Sequence, residues 1–261
     1  MTQRRLVRFD QQGALAIVAL SNPPLNQIDQ MVVDDLRDAI AKVEATPGLR
    51  ALLLRGEGSV FSAGADVSLF AGMSAAQLRP LIGSFLDLGH RIEQLPYPTV
   101  AAVHGTCMAG GLELALFCDL IWAAEDTSMG LPETRLGIMP LAGGVERIAA
   151  RAGTGRARAI AFGAGLHDAM TFLGWGIVDH VVAAEHLQQA ALEFATRLAA
   201  GPTRAFGVTK GLLRAYRAGG VEAADAMLGV SAVDLFDSSD AAAGIHSYLT
   251  SGPGKAVFTG Q

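Results

Sequence analysis

An α/β architecture follows from three features of this 261-residue chain. Short continuous apolar runs recur along it, amphipathic helical stretches separate them, and glycine-containing loops follow several of the runs. Alternating strands and helices are the pattern of a mostly parallel sheet with helices packed on it.

Taken in order, "LVRFDQQGALAIVALS" reads as two strands around a Gln-Gln-Gly turn. Asp29 can cap a helix running to about Glu44, with Val32, Val33, Leu36, Ala39, Ile40 and Val43 on its apolar face. "ALLLRG" and "TVAAVHG" are apolar without alternation, which suits strands covered on both faces. Between them lie the loop "EGSVFSAGADVS" and a helix with Leu78, Leu81, Ile82, Phe85, Leu88 and Ile92 at helical spacing. A further helix follows Gly111, then the strand "DLIWAA". Past Gly201-Pro202 the strand signal ends, and three helical patterns follow at about 203–218, 221–236 and 239–250. The chain therefore divides into a core over 1–200 and a helical region over 201–261. Met227, Leu228, Val233, Leu235 and Phe236 give that region more apolar surface than isolated helices bury.

Composition narrows the function. Hydrophobic residues make up 51% and charged residues 17%, enough for a substantial core and for surface hidden in an oligomer. A membrane span is disfavoured because the most apolar window holds His104, Glu113 and Asp119, and each acid there would cost roughly 2.5–3.5 kcal/mol. A net charge of −5 argues against a general nucleic-acid surface. The basic cluster Arg147, Arg151, Arg156 and Arg158 reads as a solvated helix face or as intersubunit salt bridges in preference to a phosphate site. Cys107 and Cys118 read as small buried thiols, not as a disulfide or metal framework. The opening "MTQRRLVRFDQQG" lacks the apolar stretch of a signal peptide, so the cytoplasm is the expected location.

No Walker loop, dinucleotide fingerprint, paired-His zinc motif or G-x-S-x-G elbow is present. His104, at a strand end beside a glycine turn, is the histidine closest to a candidate site, with a structural role the stronger reading. Two loops after strands, "FSAGAD" at 61–66 and "MAGGLE" at 108–113, could present N–H groups to an oxyanion or could simply be tight turns. Glu113 falls in the first helical turn after Gly110-Gly111, and Glu133 sits in "SMGLPETRLGIMP". Two readings stand: the pair divides acid and base roles, or Glu113 answers a helix dipole and Glu133 is a solvated loop acid.

"FSAGADVSLF", "AAVHGTCMAGGLELALFCDLIWAAE", "GLPETRLGIMPLAGGVERI", "LGWGIVDHVV" and the tail "DAAAGIHSYLTSGPGKAVFTGQ" together resemble the enoyl-CoA hydratase/isomerase, or crotonase, family across essentially the whole chain. The resemblance implies a spiral of ββα units, a C-terminal helical region that builds a homotrimer or homohexamer, and a coenzyme A thioester as substrate. It implies that the N–H groups of Ala65 and Gly110 hold the thioester oxygen. Glu113 would orient and deprotonate a water, and Glu133 would deliver a proton. The activity implied is reversible hydration of a 2-enoyl-CoA, with no metal or redox cofactor and with coenzyme A as part of the substrate. It further places Gln27, Ala63, Gly64, Asp66 and Leu141 at acyl-CoA contacts, and the nucleotide phosphates, with no basic residue after "AGAD", would meet Lys255 or an arginine.

Three positions depart from the family pattern. Leu141 stands where a glycine is common, no basic residue follows "AGAD", and Gln27 replaces a small residue. Other readings are double-bond isomerisation or dehydration on the same fold, a non-catalytic member that binds RNA, and a thioester hydrolase using Ser62.

Overall fold

The computed structural model describes residues 5–261; residues 1–4, where the reading of a leaderless N-terminus begins, lie outside the described residues. The chain winds through successive ββα turns. β1 (Val7–Gln12) and β2 (Leu15–Leu20) form an antiparallel hairpin ahead of α1 (Gln30–Ala45). β3 (Ala51–Gly56) leads to α2 (Ala75–Gln94). β4 (Thr99–Val103) and β5 (Thr106–Met108) lead to α3 (Gly110–Leu116), and β6 (Leu120–Ala124) and β7 (Ser128–Gly130) lead to α4 (Gly144–Gly163). β8 (Leu166–Asp168), α5 (Ala169–Gly174), β9 (His180–Val182) and α6 (Leu187–Ala199) complete the alternating part. The first hairpin turns at Gly13-Ala14, one step later than expected, with Gln11 and Gln12 kept in β1.

The main sheet has the order β1-β2-β3-β4-β6-β9 and is parallel from β2 onward. A smaller sheet, β5-β7-β8, stands beside it, and the bridge Ser62↔Cys107 ties the loop after β3 to β5. Side chains of a strand alternate between faces. Thus Val18, Leu52, Leu54, Ala101 and Ile121 enter one core under α1, α2 and α3. Ile17, Leu53, Val100, Ala102 and Trp122 enter a second core under α6. Both faces of β2, β3, β4 and β6 are covered, which is why these strands read as unbroken apolar runs. α6 reaches its face through Leu187 and then Ala191, Ala195 and Ala199, a small residue at each following turn.

The helices begin where side chains satisfy their free N–H groups. Asp29 accepts from the Val32 N–H at 2.8 Å, and Ser74 and Gln77 form a reciprocal capping box on α2. α7 (Thr203–Met227) breaks at Gly219 and Gly220, then runs into a wide turn at Leu228–Ala232 and a tight one at Val233–Asp237 before α8 (Ser239–Ser251). The break falls between the first two helical patterns, but the second is α-helical only to Met227. The tail after α8 folds back: Asp240 accepts the N–H groups of Thr259 and Gly260 at 2.6 and 2.8 Å, and Arg50, at the start of β3, donates to the Phe258 carbonyl at 3.0 Å. Tyr216, Phe236, Tyr248 and Leu249 of the C-terminal region are exposed. Among the described residues, no helix is long and apolar enough to cross a membrane.

Candidate active site

Two loops, one leaving β3 of the main sheet and one leaving β5 of the smaller sheet, pack against each other. The loop after β3 is held by Asn26, fully buried, whose amide donates to the carbonyls of Glu57, Val60 and Phe61 at 2.8, 2.9 and 3.1 Å. Ser62 Oγ donates to the Asn26 carbonyl at 2.7 Å and accepts from the Gly64 N–H at 3.1 Å. Ile28 pairs with Ala65 as a one-residue parallel bridge, the Ile28 N–H going to the Gly64 carbonyl at 2.9 Å. That arrangement turns the Ala65 N–H away from Ile28.

The second loop follows β5 through Ala109, whose φ of 51° is unusual for a residue with a side chain. A methyl group on Gly64 (φ 82°) would sit 2.7 Å from the Ala109 Cβ and 3.3 Å from the Gly110 N, and one on Gly111 would sit 2.6 Å from the Ser62 carbonyl oxygen. Glycine at both places lets the two loops touch backbone to backbone. Among the described residues, neither the Ala65 nor the Gly110 N–H donates to a protein acceptor.

Both residues line a pocket that encloses about 850 Å³, its open mouth included. Its walls come from α1, α2, both loops and the segment between β7 and α4. Among its lining residues, the only polar side chains are Glu113 and Glu133. Glu113 projects from the first turn of α3 and is 3% exposed. Its Oε1 accepts the N–H groups of Ala142 and Gly144 at 2.8 and 2.9 Å, the second from the start of α4. Burial raises its pKa to about 7; the charges of Glu133 and Glu146 act in the same direction, and the two N–H groups oppose them. Glu133 opens a short tight helical turn at Glu133–Leu136, half-buried, with Oε2 shielded from solvent and without a partner among the described residues. Burial raises its pKa as well. The solvated-acid reading of Glu133 and the simple dipole reading of Glu113 are therefore both corrected: each carboxylate is desolvated, and Glu113 is gripped by backbone from another helix.

The other sequence-derived candidates divide. Ala63 and Leu141 line the pocket with Ala65 and Gly110. Gly64 supports it from behind. Gln27, Asp66 and Lys255 are not among the lining residues. Asp66 instead caps the short turn Val67–Phe70 by accepting the Ser68 N–H at 2.9 Å. Lys255 lies exposed on the tail that docks near Arg50, whereas the first of the two loops leaves the opposite end of β3.

His104 Nε2 lies 3.0 Å from the Gly58 carbonyl, a structural contact. Ser62 is buried with its hydroxyl engaged at both ends, which argues against a nucleophile. The expected solvated arginine face is corrected in part: Arg156 and Arg158 are exposed, whereas Arg147 and Arg151 are not. Arg147 is buried and paired with Glu93, Arg151 donates to the carbonyls of Cys118 and Asp119, and Arg156 lies over the Trp175 ring. Cys107 and Cys118 are buried free thiols, as expected. The sequence reading missed Asn26; its only visible signal was an asparagine in the turn "NPPLN", a residue type that tolerates the observed φ of 48°.

Comparison with known proteins bears on this geometry. A family model described as enoyl-CoA hydratase/isomerase matches residues 10–261. A Bacillus subtilis protein named probable enoyl-CoA hydratase is 38% identical over 144 residues, 55% of this chain and 56% of that protein. Human mitochondrial methylglutaconyl-CoA hydratase is 33% identical over 175 residues, covering 67% of this chain. The chain thus spans about half the length of these two curated relatives. The crystal structure of an enoyl-CoA hydratase from Bacillus anthracis superposes with a TM-score of 0.91 at 26% identity, covering 98% of this chain and 100% of the other.

Proposed function

The chain belongs to the enoyl-CoA hydratase/isomerase family, and from that premise we propose that it adds water reversibly across the C2–C3 double bond of a 2-enoyl-CoA. The observation that carries this reading is the presence of two desolvated carboxylates, Glu113 and Glu133, in one pocket with Ala65 and Gly110. The water oxygen bonds to C3 while Glu113 takes its proton, and Glu133 gives a proton to C2. Electron density moving onto the thioester oxygen is met by the Ala65 and Gly110 N–H groups, where a single donor is worth roughly 10²–10³ in rate. The electronic help comes from the stabilised enolate, so the reaction calls for no metal or redox group.

The acyl group in this reading is apolar and uncharged, since the walls around it are Val33, Phe70, Leu81, Ile82 and Phe85. Leu141 sits in the lining next to Ala142, whose N–H holds Glu113. Residues 201–261 serve assembly into a trimer or a pair of trimers, a role supported by the exposed Tyr216, Phe236, Tyr248 and Leu249. The cytoplasm fits a chain of this composition.

The test follows loss of the conjugated enoyl-thioester absorbance with crotonyl-CoA and with longer, branched and aromatic enoyl-CoAs. Turnover that disappears in both Glu113→Gln and Glu133→Gln supports hydration. Loss of hydration in Glu113→Gln with a 3-enoyl double bond still shifted would move the assignment to isomerase. Binding of acyl-CoA without turnover of any substrate would overturn the reaction.

A further inference from the structure

We propose that Arg147 is a positioning residue for the active site: its guanidinium holds the peptide between Gly143 and Gly144 so that this peptide's N–H meets the Glu113 carboxylate. The inference rests on the catalytic reading of Glu113. A planar trans peptide points its C=O and its N–H in opposite directions. Here the Gly143 carbonyl accepts from Arg147 Nη1 at 3.1 Å, and the Gly144 N–H donates to Glu113 Oε1 at 2.9 Å. One rigid unit therefore separates a buried cation from the proposed base. Hydrogen bonds in such a chain polarise one another, so the contact at the carbonyl strengthens the donor on the other side.

The two glycines show how tightly the unit is held. A Cβ on Gly143 (φ 90°) would run into Arg147 Nη1, and one on Gly144 would lie 2.8 Å from Glu113 Cγ. The guanidinium is fixed on its remaining sides. Nε and Nη2 donate to the two oxygens of Glu93 on α2 at 3.0 and 2.9 Å, and the group lies 4.5 Å over the Phe117 ring at the end of α3. Only a planar fork can serve the carboxylate, the ring and the carbonyl at once, which a lysine ammonium cannot. A buried ion pair contributes little net stability compared with apolar groups of the same volume. Cross-linking α2 to α4 is therefore a weak reason for Arg147 to be there. Orientation of the Gly143–Gly144 peptide is a better one.

The charged groups around the pair are few. Glu133 and Glu146 act on Glu113. Glu93 and Glu146 face Arg147, and from α7 Arg217 lies 3.8 Å from Glu93 while Arg214 donates to the Glu93 carbonyl at 3.0 Å. The experiment compares wild type with Glu93→Gln, Arg147→Lys and the double variant Glu93→Gln/Arg147→Met, which leaves no unpaired buried charge. Expected for the double variant is a kcat about 10- to 100-fold lower. Its Kd for butyryl-CoA stays within about twofold, and the acid limb of its pH profile lies about one unit higher. Glu93→Gln retains the Gly143 contact and keeps kcat within about threefold, and Arg147→Lys falls between.

A double variant with wild-type kcat and an unmoved acid limb would overturn the proposal. So would a Glu93→Gln variant as impaired as the double. A wild type that hydrates nothing would defeat the functional reading instead. In that case carbon-13 NMR titration of the Glu113 carboxyl, assigned with Glu113→Gln, still decides: a rise in the Arg147 variants supports the positioning role, and an unchanged titration ends it.

Discussion

Glu113 Oε1 and the Gly144 N–H lie 2.9 Å apart, joining the first turn of α3 to the first residue of α4. A buried acid is thereby held by backbone donors that weaken, without cancelling, its cost of ionisation.

The first expectation concerns pH. Burial lifts Glu113 to about 7, and as a base it must be unprotonated, so kcat/KM falls as pH drops through that value. Glu133, also raised, acts as the acid and places the opposite limb above the ordinary carboxylate range. A pH–rate profile from 5 to 9 should show that acid limb. A rate flat below pH 6 would contradict the assignment.

Stability should respond in the opposite sense at the same residue. Because its pKa is higher folded than unfolded, Glu113 contributes stability through its bound proton. That contribution is complete below the ordinary carboxylate value and disappears as pH rises through about 7. Glu113→Gln keeps an oxygen for the Ala142 and Gly144 N–H groups but never ionises. It should exceed wild type by about 1–3 kcal/mol at pH 8, with the gap closing near pH 5, while hydration falls by about 10²–10⁴. Thermal melts across that range read the effect.

Gly64→Ala should damage both fold and chemistry. The added methyl has an unfavourable φ of 82° and lies 2.7 Å from the Ala109 Cβ. We expect a loss of about 2–4 kcal/mol in denaturant unfolding. Displacement of the nearby Gly110 N–H should lower kcat by about 10²-fold while substrate binding changes less.

Ser62→Ala separates architecture from nucleophilic catalysis. It removes the bond to the Asn26 carbonyl and the acceptor for the Gly64 N–H. The expected cost is about 1–3 kcal/mol of stability with hydration largely retained. Neither wild type nor variant should release free thiol from a saturated acyl-CoA. Release by wild type alone would revive the hydrolase reading.

Substrate choice gives the last expectation. An enoyl-CoA carrying a carboxylate at the far end of its acyl chain would meet no cation in the pocket and would share it with Glu113 and Glu133. Its kcat/KM should be lower than that of an uncharged chain of equal length by at least about a thousandfold. Comparable rates would mean that the acyl group lies elsewhere.

How far the sequence could be read depended on the range of the forces involved. The strands of the main sheet are visible because local apolar runs report burial on both faces, and Asp29 announces α1 through a contact three residues away. α6 escaped notice because its buried stripe is mostly alanine, too small to register as amphipathic. Glu113 and Glu133 emerged from their motifs, but their desolvation depends on walls contributed by four distant segments. Arg147 read as solvated because its own helix carries other arginines, whereas its partners Glu93 and Phe117 lie 54 and 30 residues away. Lys255 was named to replace the basic residue missing after "AGAD", and no local pattern foretold that the tail would fold toward Arg50.

The two thiols have a practical consequence. Cys107 and Cys118 are 0% and 2% exposed, and burial raises the pKa of both, that of Cys118 to about 12. Neither presents a thiolate to a soluble reagent at neutral pH. A cysteine introduced at an exposed position on α2, such as Asp87→Cys or His90→Cys, would then be the sole reactive thiol of the native protein. A maleimide dye there could report helix movement as ligand enters, with both natural sulfurs left in place.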